Sequence, residues 1–309
     1  MTAILPHGGN LYTEKVLGAC HVINGYGKAA GLSQLEELGT IESPILLTST
    51  LSVGPVWEGG LRHLLERNPE AARDRDTVNV IVGECFDGWL SDARALAVRP
   101  EHALEAIAAS SAGEASDGAV GAGTGSTCFG FKSGVGSASR RAGDHTLGCL
   151  VVANYGSRKD LHMLVGPVGH ADTPAPEPPA QGGSIMIVLA TDAPLAERQL
   201  RRLAARAAFG LGRAGSFATN ASGEYALAFS TAQRIPHRSD EPQLELRLLR
   251  DDSAALRELF EAAGEVVHEA VLNSLCSAPA MEGRDGNRVE AFPYELLEAA
   301  PGVRRDSGS

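Results

Sequence analysis

No run of lysine and arginine, no apolar stretch long enough to cross a bilayer and no CxxC-type cysteine pair occurs in this 309-residue chain. Each absence removes a class of function. With 38 acidic against 27 basic residues and a formal net charge of -11, nucleic acid and anionic membranes are poor partners. Met1 to His7 lacks the basic and apolar regions of a signal peptide, so a soluble, cytoplasmic protein is expected. Five cysteines (Cys20, Cys85, Cys128, Cys149 and Cys276) are odd in number and share no metal-like spacing, and read as reduced core thiols. No histidine pair has zincin spacing and none of the nine histidines clusters with carboxylates, so neither metal nor cofactor is predicted. There is no fixed-period repeat.

Strand and helix signals mix along the whole length, which allows one large unit or two smaller domains. Residues 45–50 and 78–82 read as strands, 55–67 and 102–110 as helices, and 69–76 as a charged loop. Asn24-Gly25 and Asp87-Gly88 are turn signals. Residues 111–137 are rich in glycine and serine. Gly125 to Gly130 has the spacing of a phosphate-binding loop, but Phe131 stands where the lysine is required and Lys132 comes one residue late. A dinucleotide fingerprint fails too, because Ser126 takes the place of its third glycine. The glycines are better read as close backbone approach, between packed layers or around a small ligand.

The most informative stretch is Gln181-Gly182-Gly183-Ser184-Ile185-Met186-Ile187-Val188-Leu189-Ala190. Five prolines between 163 and 183 exclude helix or central strand there, and the apolar run after Ser184 has the pattern of a strand buried on both faces. Two readings are open. Gly-Gly-Ser ends a loop, or the Ser184 hydroxyl attacks the Gly183 carbonyl, cleaves the chain and leaves an α-amine, pKa about 7.7–8.0, as general base for its own hydroxyl. Nearby signals divide in the same way. Residues 147–152 form a strand that delivers Asn154, either to an ordinary turn or to an oxyanion. Asp192 and Pro194 start a helix that stops near Gly210 and Gly212. Ser222 and Glu224, entering an alternating strand, face one side; they either converge on a nucleophile or are solvent-exposed. A last long helix covers 253–276 and carries His268 in a structural role, and residues 300–309 are expected to fray.

In that order, the motifs resemble the self-processing L-aminopeptidase D-amidase/D-esterase and β-peptidyl aminopeptidase family. They are His21-Val22-Ile23-Asn24-Gly25, Gly83-Glu84-Cys85-Phe86-Asp87-Gly88, Phe131-Lys132-Ser133-Gly134, Asn154-Tyr155-Gly156, Gly183-Ser184-Ile185, Ser222-Gly223-Glu224 and Gly283-Arg284-Asp285-Gly286. The resemblance implies an α+β fold, a four-layer αββα sandwich, forming a single catalytic domain over 1–309. It implies cleavage between Gly183 and Ser184 into 1–183 and 184–309, with tetramers of the cleaved pair. Ser184 is then the nucleophile, Ser222 and Glu224 its supports, Asn154 the oxyanion-hole amide and Glu84 the carboxylate for the substrate's free amine. The expected substrates are small peptides or amino-acid amides and esters. Two alternatives stand beside this: an acyltransferase resembling the ornithine acetyltransferases, which use threonine, and an uncleaved binding protein of the same fold. The chain departs from the family pattern at two points. The family usually opens with a further segment, so either a missing N-terminal strand or a misplaced start codon is expected, and Phe86 stands where members can carry an oxyanion-assisting tyrosine.

Overall fold

The computed structural model describes residues 1–73, 76–163, 166–167 and 183–295. The proline-rich expectation, apart from a few residues, and the frayed end lie outside that set. In chain order the elements are β1 (Thr2–Ile4), β2 (Glu14–Gly25), α1 (Leu32–Leu38), β3 (Thr40–Ile41), β4 (Ile45–Ser49), α2 (Val53–Arg67), β5 (Ile81–Cys85) and α3 (Pro100–Ala108). A hairpin follows, β6 (Thr127–Cys128) with β7 (Phe131–Lys132), then β8 (Val135–Ala142), β9 (His145–Asn154), β10 (His162–Met163) and β11 (Gly166–Pro167). The remainder is β12 (Ser184–Thr191), α4 (Glu197–Ala205), α5 (Ala207–Ala214), β13 (Gly223–Pro236), α6 (Ala254–Cys276), β14 (Met281–Glu282) and β15 (Arg288–Val289).

Two sheets stack between two helical layers. The larger has the order β3-β2-β13-β12-β9-β8 and the smaller β1-β4-β5. Along β12, Ile185, Ile187 and Leu189 point to the helices α4 to α6, while Met186 and Val188 point to the smaller sheet and meet Leu47 and Ile81. A third core joins that sheet to α2 and α3 through Leu46, Val56, Leu64, Val80 and Ile107. Three interlayer cores make four layers, the αββα sandwich expected, and they explain why β12 is apolar on both sides.

Some boundaries differ from the sequence pattern, each for a packing reason. The strand expected at 78–82 is Ile81–Cys85, because its ladder with β4 runs on through Gly83 and the buried polar Glu84, which an apolar pattern excludes. Asp192 does not cap a helix; its carboxylate accepts the Thr146 N–H at 2.8 Å, and α4 starts at Glu197. That helix breaks at Arg206 and resumes as α5. Gly210 does not stop α5. It lets α6 approach, since a Cβ there would stand 2.7 Å from Gly264 O, and the stop is Gly215 with φ 106°. Asn24-Gly25 is strand, not turn. The start of β13 is buried on both faces and does not alternate in and out. At Gly136 the glycine-rich segment serves interlayer contact, with α6 so close that a Cβ would stand 1.9 Å from Ala270 O.

Candidate active site

Strand directions converge on one edge of the large sheet. β12 and β13 are parallel and adjacent, so both begin there; β9 and β2 are antiparallel to them, so both end there. Ser184, the first residue of β12, pairs with Asn154 at the end of β9 and with Gly223 at the start of β13. Glu224 in turn faces Asn24 near the end of β2. From the smaller sheet β5 ends at the same place and delivers Glu84 and Phe86.

Ser184 is buried, and its hydroxyl oxygen accepts the Phe86 backbone N–H at 3.0 Å. The Asn154 side chain donates to the Phe86 carbonyl and accepts the Thr127 N–H at 2.8 Å. Asn154 therefore anchors Phe86 by its carbonyl, the same residue whose N–H, one peptide unit earlier, reaches Ser184. Glu84, 3% exposed, accepts the Lys28 N–H at 2.9 Å and the Thr50 hydroxyl. Ser184 and Glu84 line one open cavity of about 570 Å³, whose walls include Tyr26, Leu51, Phe86 and Arg284. Phe86 thus contributes its backbone to the nucleophile and its ring to the wall.

A second cavity, about 170 Å³, lies beside Gly183 and is lined by Ser222, Glu224 and Tyr155. Neither Glu224 oxygen, nor the Ser222 or Tyr155 hydroxyl, has a hydrogen-bond partner of good geometry among the described residues. Burial pushes the Glu224 pKa up, with the nearby Ser222 hydroxyl pulling weakly the other way, and pushes the Tyr155 phenol well up. The Gly183 carbonyl accepts the Gly223 N–H at 2.9 Å, which polarises the bond before Ser184. Gly183 also has no room for a side chain, because a Cβ would stand 2.6 Å from the Tyr155 Cβ. Among the described residues no cluster of three or more His, Cys, Asp or Glu could hold a metal ion, and no helix is long and apolar enough to cross a membrane.

The family model for peptidase family S58 matches residues 1–289. The chain belongs to that family. It is 35% identical over 318 residues to the β-peptidyl aminopeptidase BapA of Sphingosinicella microcystinivorans, covering 97% of this chain and 78% of that protein. Among solved structures, the PH0078 protein of Pyrococcus horikoshii OT3 superposes with a TM-score of 0.91 at 47% identity, covering 96% of this chain and 83% of that one. The L-aminopeptidase D-Ala-esterase/amidase of Ochrobactrum anthropi, described as a prototype for the serine aminopeptidases and a variant of the Ntn hydrolase fold, gives 0.87 at 34% identity, with 96% and 84% covered. This S58 chain is a serine-type peptidase of that α+β fold.

Three residues near the S58 site have roles that sequence reasoning did not assign to them. Asn24 donates to the Thr219 carbonyl at 2.9 Å and to that of Ser222, tying the end of β2 to the loop before β13. The Phe86 N–H is a backbone donor, invisible to side-chain patterns. Lys132 is fully buried and donates to the carbonyls of Gly123 and Ser126 at 3.3 and 2.9 Å and to that of Ser133. It braces the loop from which Thr127 holds Asn154. The one available signal was a lysine inside an otherwise small and apolar stretch.

Proposed function

We propose that this chain is a self-processing aminopeptidase or amidase acting through Ser184 on peptides, amides or esters with a free amine. The observation that carries the reading is the shared row of Asn154, Ser184 and Gly223, with Glu84 in the same cavity as Ser184. In processing, the Ser184 hydroxyl attacks the Gly183 carbonyl, the Gly223 N–H holds the developing oxyanion, and water resolves the ester to a Gly183 carboxylate and a free Ser184 amine. The Ser222 and Glu224 side chains, without a well-formed partner among the described residues, then acquire that amine as a partner. In turnover, Glu84 binds the substrate ammonium and the Ser184 amine takes the proton of its own hydroxyl. The Phe86 N–H and the Asn154 amide N–H that is not given to the Phe86 carbonyl hold the oxyanion, the leaving amine departs protonated, and water releases the acyl group.

The same reading includes a single catalytic unit of 1–183 with 184–309, tetramers of the cleaved pair and a reducing cytoplasmic setting; five free cysteines, four of them buried, support the last. The acyltransferase alternative is not favoured, because position 184 is serine and the family is S58.

Intact mass under denaturing conditions tests the reading. Two fragments meeting at Gly183/Ser184 are expected, with Ser184→Ala uncut and inactive on a panel of amino-acid amides. A single full-length wild-type species with no amidase activity overturns it.

A further inference from the structure

Arg284 and Lys28 are basic side chains that line the same cavity as Glu84 and Ser184 and that the proposed chemistry leaves without a role; the Lys28 ammonium sits over the Tyr26 ring, which leaves Arg284 as the group to account for. Its place is fixed by the segment that carries the site. The Arg284 N–H donates to Leu90 O at 2.8 Å and its Nε to Gly88 O at 2.7 Å. On the same loop, the Asn287 side chain donates to Trp89 O at 2.9 Å. Its only carboxylate partner among the described residues is the neighbouring Asp285, at 2.5 Å and 74% exposed, and Nη2 has no partner there. An exposed ion pair of that kind is worth little and is readily exchanged for a better-placed carboxylate.

Along residues 84–88 the chemistry therefore falls in a fixed order. Glu84 presents a carboxylate, the Phe86 N–H marks Ser184, and Gly88 O marks the Arg284 guanidinium. Four residues span at most about 14 Å even when fully extended. A chain lying along this segment with its ammonium at Glu84 and its first carbonyl at Ser184 points its next residues at Arg284. A guanidinium forms bidentate, charge-assisted pairs with carboxylates. We propose that Arg284 binds the C-terminal carboxylate of the substrate, so that the site selects free di- and tripeptides over the corresponding amides, the anionic half being the leaving group. The inference rests on the aminopeptidase reading and narrows its substrate class.

The test compares a dipeptide and a tripeptide with their C-terminal amides. The first residue is whichever the amide panel shows to be turned over best. The readout is the ratio of kcat/KM for free acid over amide within each variant, which cancels any general damage to the fold. Wild type is expected to favour the acid about tenfold, the worth of one partly exposed hydrogen bond between charged groups. Arg284→Met is expected to bring the ratio near one through KM, and Arg284→Lys to restore part of it. A ratio near one in wild type, or one unchanged in Arg284→Met, overturns the proposal. If no substrate is turned over, the aminopeptidase reading has failed, and calorimetry with the same four peptides decides separately. Tighter binding of the acids that is lost in Arg284→Met sustains the carboxylate site, and equal binding removes it.

Discussion

Glu224 is 1% exposed and has no well-formed hydrogen bond among the described residues, a state that costs free energy whenever the carboxyl ionises. Its pKa is raised above 4.5 by burial, so between 4.5 and the folded value the native state holds the extra proton, and stability falls as pH rises through that window. In an uncleavable Ser184→Ala background, Glu224→Gln should therefore raise the melting temperature at pH 8, by about 2 °C for each kcal/mol regained, and have little effect at pH 4.5. Equal shifts at both pH values would show that the carboxylate is not the strained group. Lys132 carries the opposite sign. Burial pushes its ammonium from 10.5 down to about 7, with Asp87 opposing. Between those values the unfolded chain binds the proton and the folded chain does not, so stability rises with pH. Thermal melts from pH 7 to 9.5 should show wild type gaining on Lys132→Met as pH increases; a constant gap would place the titration elsewhere.

At the scale of elements, the site depends on how closely α6 and β8 approach. Gly136 allows it, and a methyl group there would meet Ala270 O and Ser274 N of α6, which are backbone atoms that cannot rotate away. Gly136→Ala is expected to cost about 3 kcal/mol or more, read as a lowered melting temperature or loss of soluble protein. A neutral result would mean that α6 slides without penalty. The same logic explains Gly210, a glycine that the sequence pattern assigns to a helix stop and that packing uses for a helix crossing. Loop anchors follow a similar rule. Asn24 and Asn154 lie at strand ends, and their amides are taken up by backbone groups of neighbouring loops, which fixes those loops on either side of Ser184.

At the scale of the whole molecule, the proposed cut removes one covalent bond and leaves the sandwich intact. β12 is hydrogen-bonded on one side to β9, from the first fragment, and on the other to β13, from its own fragment, and it is buried in two cores. Fragments 1–183 and 184–309 are expected to co-elute in native size exclusion and to separate only in denaturant. Separation in native buffer would contradict the shared cores.

Much of this molecule is legible in its amino-acid sequence alone. The apolar run that starts a strand at Ser184 and the stripe of α6 depend on neighbours in sequence, because side-chain period is a local property. The motifs, taken in order, also nominate Asn154, Ser222, Glu224 and Glu84 through family resemblance. What only the tertiary structure decided was which atoms face Ser184. Asn154 and Gly223 lie 30 and 39 residues away in sequence and reach it through strand register, a property of pairing across the sheet that no single strand encodes. The Phe86 N–H is a backbone group that every non-proline residue possesses, so only the end of β5 beneath β12 makes it a donor at the site.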